Sequence, residues 1–178
     1  MSESNPPVST GRGDDGTTTL LGSGRLRKDD PRIVVLGDID EASSFLGLAR
    51  AQCGGSKEAP DELLIELQRL LYRIMGDVAM PKEENFVGAE DLSFVDEALE
   101  EWKGRTEIPK EFVIPGESHL GALLDVARSV IRRAERGLVA AGYTDEHPYA
   151  VRVINRISDL LFVVARNADG KPSLSKSS

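Results

Sequence analysis

The stretch SHLGALLDVARSVIRRAERGLVAA, residues 118–141, decides the fold class. Leu120, Leu124, Ala127, Ile131, Ala134 and Leu138 recur three and four residues apart, as one stripe of a helix facing a core does. Gly142 supplies a stop, so the spacing predicts a helix from about Ser118 to Ala141. The pattern repeats on both sides. Downstream, Pro148 starts a helix with Val151, Ile154, Ile157, Leu161 and Val164 on its buried stripe, running through about residue 167. Upstream, Pro60-Asp61 opens a helix carrying Leu63, Leu67, Leu70, Ile74 and Val78, which ends before Pro81. Leu36, Ile39, Leu46 and Ala49 predict another over about 32–53, between Asp30-Pro31 and Gly54-Gly55. Leu92, Val95, Leu99 and Trp102 predict a shorter one over about 91–102, closed by Gly104. Residues 105–117, with Pro109, Pro115 and the extended-looking FVIP at 112–115, read as a connector laid over helix ends.

Five helices, mostly short connections and no convincing strand hairpin predict an all-α chain, an antiparallel five-helix bundle of the ferritin-like kind. Residues 1–30 are rich in Gly, Ser, Thr and Asp without an apolar period and read as a flexible N-terminal arm; 31–168 form the bundle domain, and 169–178 a frayed tail. A chain of 178 residues, 40% of them hydrophobic, suffices for one core. No apolar run approaches the roughly 20 residues of a bilayer span, and no secretory signal opens the chain, so the expectation is a cytoplasmic protein without a membrane partner. A net charge of −8 opposes nucleic-acid binding, and any anionic ligand must be met by a local basic cluster. Cys53 is the single cysteine, which excludes an intrachain disulfide and a CxxC site and leaves a small buried apolar side chain. His119 and His147 lack a Glu three residues before them and read as ordinary loop or helix-end residues.

Such a cluster stands on the 118–141 helix, where Arg128, Arg132 and Arg136 are four apart, with Arg133 and Glu135 beside them. Guanidinium forks suit a polyphosphate; a solvated face paired to neighbouring carboxylates is the other reading. Arg152, Asn155, Arg156 and Asp159 share a face of the last helix. With the two helices adjacent, Asn155 and Asp159 would meet the arginine row in a polar pocket; plain interhelical salt bridges are the alternative. In TGRGDDGTTT, residues 10–19, glycines let the backbone curl while hydroxyls and N–H groups face an anion. The segment does not match a GxxxxGK[ST] loop, and a disordered polar tail is its alternative. Asp40-Glu41 can pair with an arginine of the same chain or across a subunit interface, or serve as surface charge.

GDDGTTTLL, LRKDDPRI, DIDEASSFLGLA, FVIPGESHLGALLDVARSVIRRAERGLV and VINRISDLLFVVAR follow one another in that order. Over roughly residues 10–167 this series resembles the PduO-type ATP:cob(I)alamin adenosyltransferases. The resemblance implies a homotrimer of five-helix bundles with active sites between subunits, the N-terminal loop closing over ATP. It implies that Thr10, Gly13, Asp14, Gly16, Thr17 and Thr18 surround the nucleotide and Lys28 meets its phosphates. Arg132, Arg133, Glu135, Arg136 and Asn155 would position ATP. Arg132, Asn155, Asp40 and Arg128 would form the catalytic set, with Asp40 and Arg128 bracing the subunit interface near the corrinoid. Phe112 would cover the lower face of the corrin, and Arg128 and Asp159 would complete the cobalamin site. Mg2+ would be held mainly by the ATP phosphates.

The implied reaction is attack of Co(I) on C5′ of ATP with loss of triphosphate. A cob(II)alamin reductase and an adenosylcobalamin-dependent mutase are the implied partners. An adenosylcobalamin carrier with weak catalysis and a non-catalytic helical interaction module are the alternatives. Three departures from the family pattern stand out: Asp15 in place of a lysine, Glu117 in place of the connector's second glycine, and a short polar tail. Glu117 is expected to bring a carboxylate near the corrinoid pocket.

Overall fold

Each long helix begins where the sequence supplies a start. Asp30 caps the first, its carboxylate accepting from the Arg32 N–H at 3.0 Å, with Pro31 in the first turn. Ser118 caps another, its hydroxyl accepting from the Gly121 N–H at 2.9 Å. The structure, a computed structural model, describes residues 9–21, 24–54, 59–81, 85–171 and 173–175. Residues 1–8 of the arm, Gly55, and Pro172 and 176–178 of the tail lie outside the described residues. The elements are β1 (Thr17–Leu20), β2 (Gly24–Arg27), α1 (Pro31–Gln52), α2 (Asp61–Ala79), α3 (Ala89–Gly104), α4 (His119–Ala140), α5 (Tyr143–Glu146) and α6 (Pro148–Asp169).

α4 lies at the centre, packed on α1 and α6; α2 covers α1, and α3 covers α6. The stripes meet in one core of which Ile39, Leu46, Leu67, Ile74, Ile131 and Ile154 are fully buried. Each such side chain contributes roughly 1.5–3 kcal/mol relative to exposure. Leu36, Leu63, Leu120 and Val151 sit at the rim, while Val35, Leu64, Leu71, Val153 and Leu160 widen the stripes inward. α1 and α4 approach closely at Gly137, where a Cβ would come within 2.6 Å of Val35 Cγ2. Cys53 is buried at the end of α1, and burial pushes its thiol upward. No helix is long and apolar enough to cross a membrane among the described residues.

The arm departs from the expected irregular chain. β1 and β2 form an antiparallel hairpin, Thr17 opposite Arg27 and Leu20 opposite Gly24, favoured by the β-branched run Thr17–Thr19 and anchored by buried Leu20. A one-turn α5 fills the expected loop after Gly142, whose φ of +89° ends α4 as a glycine readily does. Part of the stretch read as a fraying tail is tied down: Val113 bridges Leu174, Ile114 N–H donates to Ser173 C=O at 2.8 Å, and Ser175 N–H to Phe112 C=O at 2.8 Å.

His147 joins α5 to α6 and is buried, as is Asp77 near the end of α2. The two approach at 3.7 Å, and Asp77 Oδ1 also accepts from Phe86 N–H at 2.7 Å. Asp77 Oδ2 and both imidazole nitrogens have no hydrogen-bond partner among the described residues. Burial holds the Asp77 carboxyl above its usual range.

Candidate functional site

A groove follows the seam between α4 and α6. Its first part, about 380 Å³, is walled by Phe112 and Val113 of the connector and by Arg128, Phe162 and Arg166. The next, about 370 Å³, shares Arg128 and Phe162 and adds Arg132, Arg156 and Asp159. A third hollow of about 320 Å³ continues along α4 past Arg132, Glu135 and Arg136. At the connector end the groove mixes Phe112, Val113, Pro115 and Phe162 with the charged Lys110, Glu111, Asp125, Arg128 and Arg166, and along α4 its charge is that of the arginine row.

The arginine row forms as its spacing predicts, but its members differ in commitment. Arg128 donates through Nε to Asp125 Oδ1 at 3.2 Å. The Arg132 side chain has neither a hydrogen bond nor an ion pair among the described residues, while Arg136 donates to the Arg132 C=O at 2.9 Å. Asn155 reaches the row through Glu135, its Nδ2 donating to Oε1 at 2.8 Å. Asp159 faces the same hollow as Arg128 and Arg132 yet pairs with Arg156 at 3.4 Å. Arg156 also donates to Asp96 of α3, and that hydrogen bond raises its pKa above the ordinary guanidinium value.

Arg133 points elsewhere. One residue along a helix turns the side chain by roughly 100°, and Arg133 meets Asp38 of α1 at 2.9 Å and also Glu41. Asp38, then Glu41, raise its pKa. With Asp38 and Glu41 taken, the exposed Asp40 carboxylate has no partner within the chain among the described residues, and Arg128 does not reach it.

The N-terminal residues gather in a second place. Gly11 and Gly16, at φ +65° and +79°, curl the chain so that Asp14 N–H donates to Gly11 C=O and Gly16 N–H to Gly13 C=O, each at 3.2 Å. Lys28 N–H donates to Gly16 C=O at 2.9 Å, and a Cβ on Gly13 would lie 3.2 Å from Lys28 Nζ. Thr10 accepts from Arg12 N–H at 3.5 Å. Asp15 accepts from the Thr17 hydroxyl at 2.7 Å and its N–H at 3.0 Å, contacts that hold its carboxyl below the usual range together with Arg25. Thr10, Gly13, Asp14, Gly16, Thr17, Thr18 and Lys28 therefore belong to one loop-and-hairpin unit, and none of them lines the groove of the same chain.

Phe112 stands 87% exposed at the groove's mouth. Glu117 does not itself line the first hollow, though Pro115 two residues before it does, and its Oε1 accepts from Ser173 N–H at 3.3 Å. A buried polar cluster under that hollow escaped the sequence reading. Arg166, 1% exposed, ion-pairs with Asp125 and, at 2.8 Å, with Asp169. Asp169 Oδ1 in turn accepts from the Ser118 N–H at 3.1 Å and hydroxyl at 2.8 Å. The available signal was Arg166 directly after Val163, Val164 and Ala165, on the helical face of Asp159 and Phe162.

A family model described as cobalamin adenosyltransferase matches residues 8–168. A corrinoid adenosyltransferase of Mycobacterium tuberculosis (strain H37Rv) is 40% identical over 177 residues, covering 92% of this chain and 90% of the relative. One from Bacillus subtilis (strain 168) is 35% identical over 170 residues, covering 93% and 88%. Among solved structures, a variant PduO-type ATP:corrinoid adenosyltransferase from Lactobacillus reuteri complexed with cobalamin and ATP superimposes with a TM-score of 0.85 at 27% identity, covering 96% of this chain and all of that one. By the family model and by these relatives alike, the chain belongs to the cobalamin adenosyltransferase family.

Proposed function

We infer that the chain is an ATP:corrinoid adenosyltransferase, which transfers the 5′-deoxyadenosyl group of ATP to the Co(I) of cob(I)alamin. The observation that carries this reading is the groove itself, whose mouth sets the Phe112 and Phe162 rings among polar groups and runs on into a row of arginines on α4. A flat macrocycle with polar edge groups suits the first part, rings against its face and charges at its rim, and a polyphosphate suits the second.

In the reaction the cobalt electron pair attacks C5′, the Co–C bond forms, and the C5′–O bond breaks with its electrons leaving on triphosphate. No proton need move and no protein nucleophile is required. The chain's task is to orient two substrates and stabilise the leaving charge. Arg132, unpaired along the row, is free to meet the phosphates, with Arg136 and the Glu135–Asn155 pair beside it. Lys28 and the curled loop from Thr10 to Thr18 contribute the second half of the nucleotide site. In this reading Mg2+ is held mainly by the triphosphate, as a hard cation bound through phosphate oxygens is.

The site is shared between subunits of a homotrimer in this reading. The loop and the groove are separate in one chain, and Asp40 offers an unpaired carboxylate for Arg128 of a neighbouring copy. The protein works in the cytoplasm, receives its corrinoid from a cob(II)alamin reductase and delivers product to an adenosylcobalamin-dependent mutase. The test is an anaerobic assay with ATP, Mg2+ and chemically reduced cobalamin, followed by the absorbance change to the light-sensitive alkylated product. Repeated turnover is expected. Stoichiometric binding without turnover would leave a carrier, and no binding of either substrate would defeat the reading.

A further inference from the structure

The buried cluster under the first hollow has a geometry that the adenosyl transfer above leaves without a role. Asp125 and Asp169 both converge on Nη2 of Arg166, one from α4 and one from α6 itself. Their side chains are 5% and 0% exposed, so without this guanidinium both carboxylates would be buried with too little positive charge beside them. Each carboxylate then passes the constraint outward. Asp169 holds Ser118, the residue that ends the connector and caps α4. Asp125 turns its other oxygen to Nε of Arg128, which lines both hollows.

Arg128 uses only Nε in that contact, and its two terminal nitrogens carry no hydrogen bond among the described residues. The Arg166 Nε is buried without a partner, and the Arg166 guanidinium lies 5.2 Å from the ring centre of Phe162, which also lines both hollows. One buried cation therefore touches or steers three parts of the connector end of the groove: Phe162, Arg128 and the base of the segment that carries Phe112. The arginines further along α4, at 132 and 136, share no hydrogen bond or ion pair with this cluster among the described residues.

We propose that Arg166 is a positioning residue for the corrinoid: through Asp125 it sets the direction of Arg128, and through Asp169 and Ser118 it fixes the connector behind Phe112. The proposal rests on the adenosyltransferase reading and adds to it that corrinoid and nucleotide recognition are mechanically separate within one groove. Sharing Asp125 with Arg166 stops that carboxylate from taking Arg128 bidentately, which leaves the Arg128 fork free for work at the corrinoid end.

The test compares the full-length protein with Arg166→Met, Arg166→Lys and Asp125→Asn, measuring KM for cob(I)alamin and for ATP separately, and cob(II)alamin binding in the presence of ATP by its absorption spectrum. Arg166→Met is expected to raise the cobalamin KM about tenfold or more, as misplacement of a binding group does, with the ATP KM within about twofold. Lysine, one compact cation in place of the fork, recovers part of the loss. Asp125→Asn keeps the shape and an acceptor but removes the charge that holds Arg128, and gives the same corrinoid-selective loss. Circular dichroism and melting establish that each variant is folded; if the methionine variant is not, Asp125→Asn decides alone. An unchanged cobalamin KM in the folded variants, or parallel loss toward both substrates, overturns the proposal. Absence of turnover in the unsubstituted protein would instead strike at the adenosyltransferase reading.

Discussion

Two faces of α4 carry neighbouring arginines and treat them in opposite ways. On the face toward α1, Arg133 is spent within the chain, bonded to Asp38 and Glu41. On the face toward the groove, the Arg132 guanidinium is bonded to nothing among the described residues, and that of Arg128 is engaged only through Nε. The contrast separates charge that holds two helices together from charge kept available for a ligand. Unpaired guanidinium in a folded protein forgoes a small stabilisation and gains a free bidentate donor.

The largest effect expected is at the available charge. Arg132→Ala should lower kcat/KM for adenosyl transfer by about 100-fold, the scale of one lost donor to a developing anion, while the unfolding midpoint in urea stays where it was. A variant that melts early would move Arg132 to the structural side of the comparison. Arg133→Ala should behave conversely. Its pair is partly exposed, so a stability loss of no more than about 1 kcal/mol is expected, with the ATP KM nearly unchanged. A large rise in that KM would return Arg133 to the nucleotide set implied by the family resemblance.

The smallest effect concerns Asp77, a buried carboxylate that lacks the strong cation partner given to Asp125. Its pKa is raised by burial, with the Phe86 N–H and His147 pulling the other way. The folded protein therefore holds that proton more tightly than the unfolded chain. Stability from this group is lost as pH rises through its folded value and recovered as pH falls toward the ordinary 3.8. Asp77→Asn should flatten that slope above pH 3.8 and alter stability near neutrality by less than about 1 kcal/mol. Asp30, lowered by its bonds to Arg32, acts in the opposite sense below 3.8, so the two windows do not overlap. Urea unfolding at several pH values separates them; an unchanged slope in the variant would remove Asp77 as its source.

The five long helices were legible because their punctuation is local. Pro31, Pro60, Pro148 and Gly142 mark ends, and apolar residues three and four apart mark the inner face. The hairpin was not, since its strands are four residues each and lie in a stretch whose glycines suggest no fixed path. The arginine row was visible by spacing alone, but commitment was not: Arg133 differs from Arg132 through partners some 95 residues away in sequence. The Arg166 cluster was missed for a similar reason. A charged residue in the last turn of a helix is ordinarily taken for surface, and only the meeting of α4, α6 and the connector turns Arg166 inward.

Cys53 offers a practical handle of a different kind. Because the chain's one thiol is shut inside the end of α1 and held toward its protonated form, a maleimide finds little to react with in the native protein. Cysteines introduced at exposed Thr19 and at exposed Glu111 would then be the open addresses for a donor and an acceptor dye, and the distance from hairpin to connector becomes measurable by energy transfer without first stripping the natural sequence of its own sulfur.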